Sequence, residues 1–85
     1  MRWTVVIAKR AQKEFAKAAA KSQRLLRAAL EQMQENPFEG DIVRLASERA
    51  TWRRRVGSYR IFFEVDPEKG CVDIVEIARR TSTTY

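Results

Sequence analysis

The sequence predicts an α+β fold: a small, mainly antiparallel sheet of three or four strands with a helical block packed on one face. Three observations predict it. Two β-prone runs, Trp52 to Val56 and Tyr59 to Val65, flank the pair Gly57-Ser58 and read as a hairpin. The stretch from about Lys9 to Glu35 is rich in Ala, Lys, Gln, Leu and Glu, which are strong helix formers. Further strand-like runs stand near the start, at Trp3 to Ile7, and after the hairpin, at Cys71 to Ile77.

Each element has its own signal. Trp3, Val5 and Ile7 alternate with Thr4 and Val6, as a strand requires. In the helical block Phe15, Ala18, Ala19, Ser22, Leu25, Leu26, Ala29 and Met33 recur at helical spacing. No Gly or Pro interrupts them, so taken alone the pattern permits one long helix. Asn36-Pro37 ends it, because the residue before a proline avoids the α region. Phe38 to Ala50 reads as a connector of mixed polarity, with Leu45 tucked under the sheet. The hairpin follows, and Gly57 supplies the backbone angles that a tight turn needs. Asp66-Pro67-Glu68-Lys69-Gly70 has the composition of a turn. The last run carries apolar residues at both parities, Val72 and Ile74 against Val75 and Ile77. It therefore reads as a central strand covered on both faces.

Composition bounds the function. The chain has 85 residues, enough for a single domain (1–85) with a limited core. No apolar run approaches the ~18 residues of a membrane span, and no signal-peptide pattern is present. The one cysteine, Cys71, cannot form an internal disulfide. It reads as a small buried hydrophobe in a protein of the reducing cytoplasm. Histidine is absent, which excludes a Ser-His-Asp triad and zinc sites built on His and Cys. Glu64 and Asp73 read as solvent-facing strand positions, Asp66 and Glu68 as turn residues, and no Gly-rich phosphate loop is present. No metal and no cofactor are expected. The net charge of +6 points to a polyanionic partner: RNA, DNA, the ribosome or an acidic protein.

The hairpin concentrates that charge. Alternation puts Arg53 and Arg55 on one face of the first strand, with Trp52 and Val56 on the other. On the second strand Tyr59, Ile61, Phe63 and Val65 share a face and Arg60 takes the opposite one. With the apolar set toward the core, Arg53, Arg55 and Arg60 gather on one exposed side. Their planar forks of donors suit phosphate. Arg54 falls among the apolar positions and reads as a stem on apolar surface with its head in water. Tyr59 reads as core, and Trp3 and Trp52 as core or edge packing.

The stretch Trp-Arg-x-Arg-Val-Gly-x-Tyr-Arg-Ile-Phe-Phe, residues 52–63, resembles the central hairpin of the RelE/ParE toxin superfamily, the toxins of bacterial and archaeal toxin–antitoxin pairs. Other landmarks stand in the expected order: Trp3-Thr-Val, Asn36-Pro37, Leu45, and Ile77-Ala-Arg-Arg before Tyr85. The resemblance covers nearly the whole chain. It implies that the helical block is a hairpin of two helices, broken near Lys21 and Ser22, with Ser22 able to cap the second. The element order is then β-α-α-β-β-β.

The resemblance also implies a function. RelE-type toxins cleave messenger RNA in the ribosomal A site: the ribose 2′-hydroxyl attacks the adjacent phosphate, and basic residues with a C-terminal tyrosine assist. Carried over, Arg60, Arg80 and Tyr85 are the catalytic candidates, and Arg53, Arg55 and Arg79 the RNA-binding ones. Arg79 competes with Arg80, because the spacing to Tyr85 is one residue shorter than in the best-known members. Arginine does not deprotonate at working pH, so Tyr85 is the candidate for proton transfer. The implied partners are a cognate antitoxin, in a hetero-oligomer, and the ribosome with its messenger RNA. The activity implied is a metal-independent endoribonuclease. Two alternatives stay open: a ParE-like poison of DNA gyrase that cleaves nothing itself, and a catalytically inactive basic module that binds nucleic acid. Gyrase poisons generally lack the combined set Arg53, Arg55, Arg60, Arg80 and Tyr85, which favours the nuclease.

Overall fold

A computed structural model describes residues 2–46 and 50–79. The chain lays down β1 (Thr4–Ile7), α1 (Lys9–Lys17), α2 (Ala20–Glu35), β2 (Ile42–Arg44), β3 (Trp52–Val56), β4 (Tyr59–Asp66) and β5 (Cys71–Arg79). The strands form one five-stranded sheet in the order β1-β5-β4-β3-β2. β1 runs parallel to β5, and the other neighbours are antiparallel. The α+β class is as the sequence predicts. The sheet has five strands rather than three or four. The additional strand, β2, lies inside the expected connector and exists through pairing: Ile42, Val43 and Arg44 oppose Arg54, Arg53 and Trp52.

The helical block is a hairpin, but it breaks at Ala18 and Ala19 rather than near Lys21 and Ser22. Both alanines are extended, with ψ of 150° and 155°. Ser22 lies inside α2 and caps nothing; Ala19 is the capping position and makes no side-chain bond. Tertiary packing overrides propensity here. Ala18 is drawn into the core, and the Gln23 amide reaches back to donate to the Phe15 carbonyl at 3.0 Å, satisfying the frayed end of α1. α2 stops at Asn36, whose N–H donates to the Gln32 carbonyl just before Pro37.

One face of the sheet carries the core. Ala11, Leu26, Ala29 and Met33 from the helices pack with Tyr59, Ile61 and Phe63 of β4 and Val72, Ile74 and Ile77 of β5. Phe63, Leu26, Met33 and Ile61 are fully buried, and each such side chain contributes on the order of 2 kcal/mol of apolar transfer. Trp3 and Trp52 do pack at the core's edge, each against Phe38, with ring centroids 6.3 and 5.4 Å apart. Leu45 is half-buried, and its N–H donates to the Thr51 carbonyl at 2.7 Å. Cys71 is half-buried rather than enclosed.

The mixed parity of β5 has a different cause from the one expected. Phe62 opposes Glu76 but Phe63 opposes Ile74, so Val75 is an extra residue in a β-bulge. The bulge reverses the alternation, and Val72, Ile74 and Ile77 all join the same core. The strand is central, between β1 and β4, without needing apolar cover on both faces.

Candidate nucleic-acid interface

The β3–β4 hairpin turns at Gly57-Ser58, and Gly57 takes the left-handed φ of +58°. That turn fixes the register: Arg55 stands directly opposite Arg60, and Arg53 opposite Phe62. Trp52, Arg54, Val56, Tyr59, Ile61 and Phe63 take the helix side. Arg53, Arg55 and Arg60 therefore share the face that no helix covers among the described residues. Like charges placed directly opposite are unfavourable in a sheet. Such a local conflict is what a binding surface tolerates and a purely structural strand avoids.

The arginines differ in what holds them. Arg55 donates from Nε to Asp41 Oδ2 at 2.8 Å, and its backbone N–H donates to the Asp41 carbonyl at 2.9 Å. Arg53 and Arg60 are half-buried, and the Nε of each is buried without a hydrogen-bond partner among the described residues. An unmet buried donor is costly, so these groups gain from any acceptor that reaches them. Between them lies Phe62, only 4 % exposed although it faces away from the helices. Acids on the same face sit further along the sheet: Glu64 accepts from the Thr51 N–H at 2.9 Å, and Glu76 lies 3.9 Å from Arg10.

Arg54 corrects an expectation. Its head does not reach water: the residue is 8 % exposed, and Nη2 donates to Gln32 Oε1 of α2 at 2.5 Å. Burial pushes its guanidinium below the usual arginine value, and Glu39 partly restores it. The stem alone could not lie on apolar surface with its head free, because α2 and the loop at Gly40 close over it.

The structure thus brings Arg53, Arg55 and Arg60 together and separates Arg79 from them. Arg79 opposes Tyr59, which puts it by alternation on the helix side, exposed at the end of β5. Arg80 and Tyr85 lie outside the described residues. Asp41 is the participant that sequence reading missed. An isolated acid after Gly40 looks like an ordinary loop residue until β2 is known to pair with β3. A second concave surface lies between the helices and the sheet. This groove of about 440 Å³ is lined by Val5, Ile7, Phe15, Leu30 and Ile77, with Arg27 and Glu31 among its polar members. No cluster of three or more His, Cys, Asp or Glu that could hold a metal occurs among the described residues. No helix among them is long and apolar enough to cross a membrane.

The family model and the solved structures that match this fold put the chain among the toxins of the RelE/ParE superfamily of type II toxin–antitoxin systems. The chain belongs to the ParE toxin family: the family model described as "ParE toxin of type II toxin-antitoxin system, parDE" matches residues 5–83. Solved structures agree on the fold. The archaeal RelE–RelB complex from Pyrococcus horikoshii matches with a TM-score of 0.83 at 19% identity, covering 98% of this chain and 100% of that one. The RelBE2 toxin–antitoxin complex from Mycobacterium tuberculosis gives 0.73 at 25% identity, covering 94% and 100%. The isolated Escherichia coli RelE toxin gives 0.79 at 19% identity, covering 95% and 87%. No curated protein sequence matches the chain.

Proposed function

We propose that this toxin is a ribosome-dependent endoribonuclease that cleaves messenger RNA in the cytoplasm. The observation that carries the reading is the grouping of Arg53, Arg55 and Arg60 on one open face, with the Nε donors of Arg53 and Arg60 lacking acceptors among the described residues. The chemistry needs no metal. The ribose 2′-oxygen bonds to the adjacent phosphorus, the bond to the 5′-oxygen breaks, and a proton passes from the attacking to the leaving oxygen. Charge gathers on the non-bridging oxygens, and Arg60 with Arg80 stabilises it. Arg53 and Arg55 hold the RNA backbone, Arg79 stands apart from them on the helix side, and Tyr85 moves the proton. Each preorganised donor lowers the barrier by roughly 3–4 kcal/mol.

The inhibitory partner is an antitoxin. The Pyrococcus and Mycobacterium relatives were solved with antitoxins bound. The groove at Val5, Phe15 and Leu30 supports an amphipathic antitoxin segment with apolar anchors, and the +6 charge supports acidic residues around them. One observation favours a second reading, a gyrase poison: the matching family model is the ParE one. Mapping cuts in messenger RNA from a translating extract, beside an assay for DNA breaks trapped on gyrase, separates the two.

A further inference from the structure

We propose that Asp41 sets the affinity of the basic face for RNA, by occupying Arg55 in the free protein until a phosphate displaces it. The inference rests on the endoribonuclease reading and adds a residue to that site. Of the three grouped arginines, only Arg55 has an acidic partner among the described residues. Its Nε donates to Asp41 Oδ2 at 2.8 Å.

The pairing is built by the fold. The Arg55 backbone N–H donates to the Asp41 carbonyl, which fixes the acid beside the strand whatever its side chain does. Gly40, at φ +94°, lets the loop come against β3, where a Cβ would stand 2.8 Å from Arg54 Cζ. Arg54 is in turn tied to Gln32 of α2. The helix, the buried arginine and the glycine together deliver Asp41 to Arg55.

The pair is also breakable. The Arg55 and Asp41 side chains are 46% and 48% exposed, so water and salt screen their attraction. A phosphate offers the guanidinium fork the same charge with bidentate geometry. Asp41 therefore acts as an internal competitor. It also relieves the repulsion between Arg55 and Arg60 while no RNA is present.

The test is binding of the full chain to a single-stranded RNA oligonucleotide, followed by fluorescence anisotropy over a series of potassium chloride concentrations. Asp41→Asn keeps the side-chain shape and leaves the backbone bond in place. It should tighten binding about twofold to fivefold, the worth of an exposed ion pair. It should leave the dependence of log K on log salt essentially unchanged, because Arg55 meets a phosphate in both complexes. Asp73→Asn removes an exposed acid from the same face, away from Arg55, and should change neither. Arg55→Ala should flatten that slope by about 0.7, and the double variant Asp41→Asn with Arg55→Ala should bind no more tightly than Arg55→Ala alone. The proposal is overturned by an unchanged affinity in Asp41→Asn, by an equal rise in Asp73→Asn, or by a rise that survives loss of Arg55. In each of those cases salt-sensitive binding by the wild type leaves the RNA face standing. A wild type that binds no RNA removes that face, and the inference with it.

Discussion

Gly40 makes room for Arg54: a Cβ at position 40 would stand 2.8 Å from the Arg54 guanidinium carbon and 3.0 Å from Nε. The glycine also takes φ +94°, where other residues are strained. Gly40→Ala should cost about 1–3 kcal/mol in urea unfolding, the sum of a strained backbone and an overpacked contact. In an Arg54→Leu background the crowding should fall away and only the backbone part remain. Equal costs in the two backgrounds would show that the contact carries no energy.

Arg54→Leu should leave stability unchanged or raise it, by up to about 2 kcal/mol, because a well-packed apolar side chain avoids burying a charge. The sign follows from the lowered Arg54 pKa. A base with a depressed folded-state pKa disfavours its charged form in the fold. Its penalty is full at every pH below that value and fades only as pH rises through it, far on the alkaline side. The gain should therefore be constant across the neutral range. A loss of more than about 1 kcal/mol would mean that the bond to Gln32 outweighs desolvation.

Arg53→Ala and Arg60→Ala should separate. The first should flatten the salt dependence of binding to ribosome-bound messenger RNA by about 0.7 in slope. The second should slow single-turnover cleavage by about a hundredfold at saturating toxin. Identical effects on both parameters would dissolve the division between backbone holding and transition-state stabilisation.

Leu30→Lys places a charge in the groove between the helices and the sheet. It should weaken antitoxin binding by tenfold or more, about the cost of losing one buried apolar anchor. It should leave cleavage of ribosome-bound messenger RNA intact, since the groove and the arginines are on opposite faces. Titration calorimetry and the cleavage assay on one preparation provide both readings.

The hairpin was legible because its signals are local: β-prone runs, a glycine at the turn, and a period of two that sorted Arg53, Arg55 and Arg60 from Tyr59, Ile61 and Phe63. What the sequence did not disclose depends on long-range contacts. β2 is only Ile42–Arg44, and pairing with β3 rather than propensity makes it a strand. The helix break falls at two alanines, the best helix formers, because packing demands a turn there. Parallel pairing of β1 with β5 has no signature in either strand alone. The bulge at Val75 disguised a one-faced strand as a two-faced one. In the site, the grouping of three arginines was readable, but Asp41 beside Arg55 and Gln32 beside Arg54 were not. Each partner is many residues away in the chain.

The central claim is that this toxin cuts messenger RNA on the ribosome. Primer-extension mapping in a translating extract tests it most directly, with wild type, Arg60→Ala and Tyr85→Phe compared at equal concentration. The account predicts cuts at fixed codon positions with the wild type, none without ribosomes, and cutting slowed by about a hundredfold in Arg60→Ala. Intact messenger RNA in every lane, with DNA breaks trapped on gyrase by the same preparation, would contradict it.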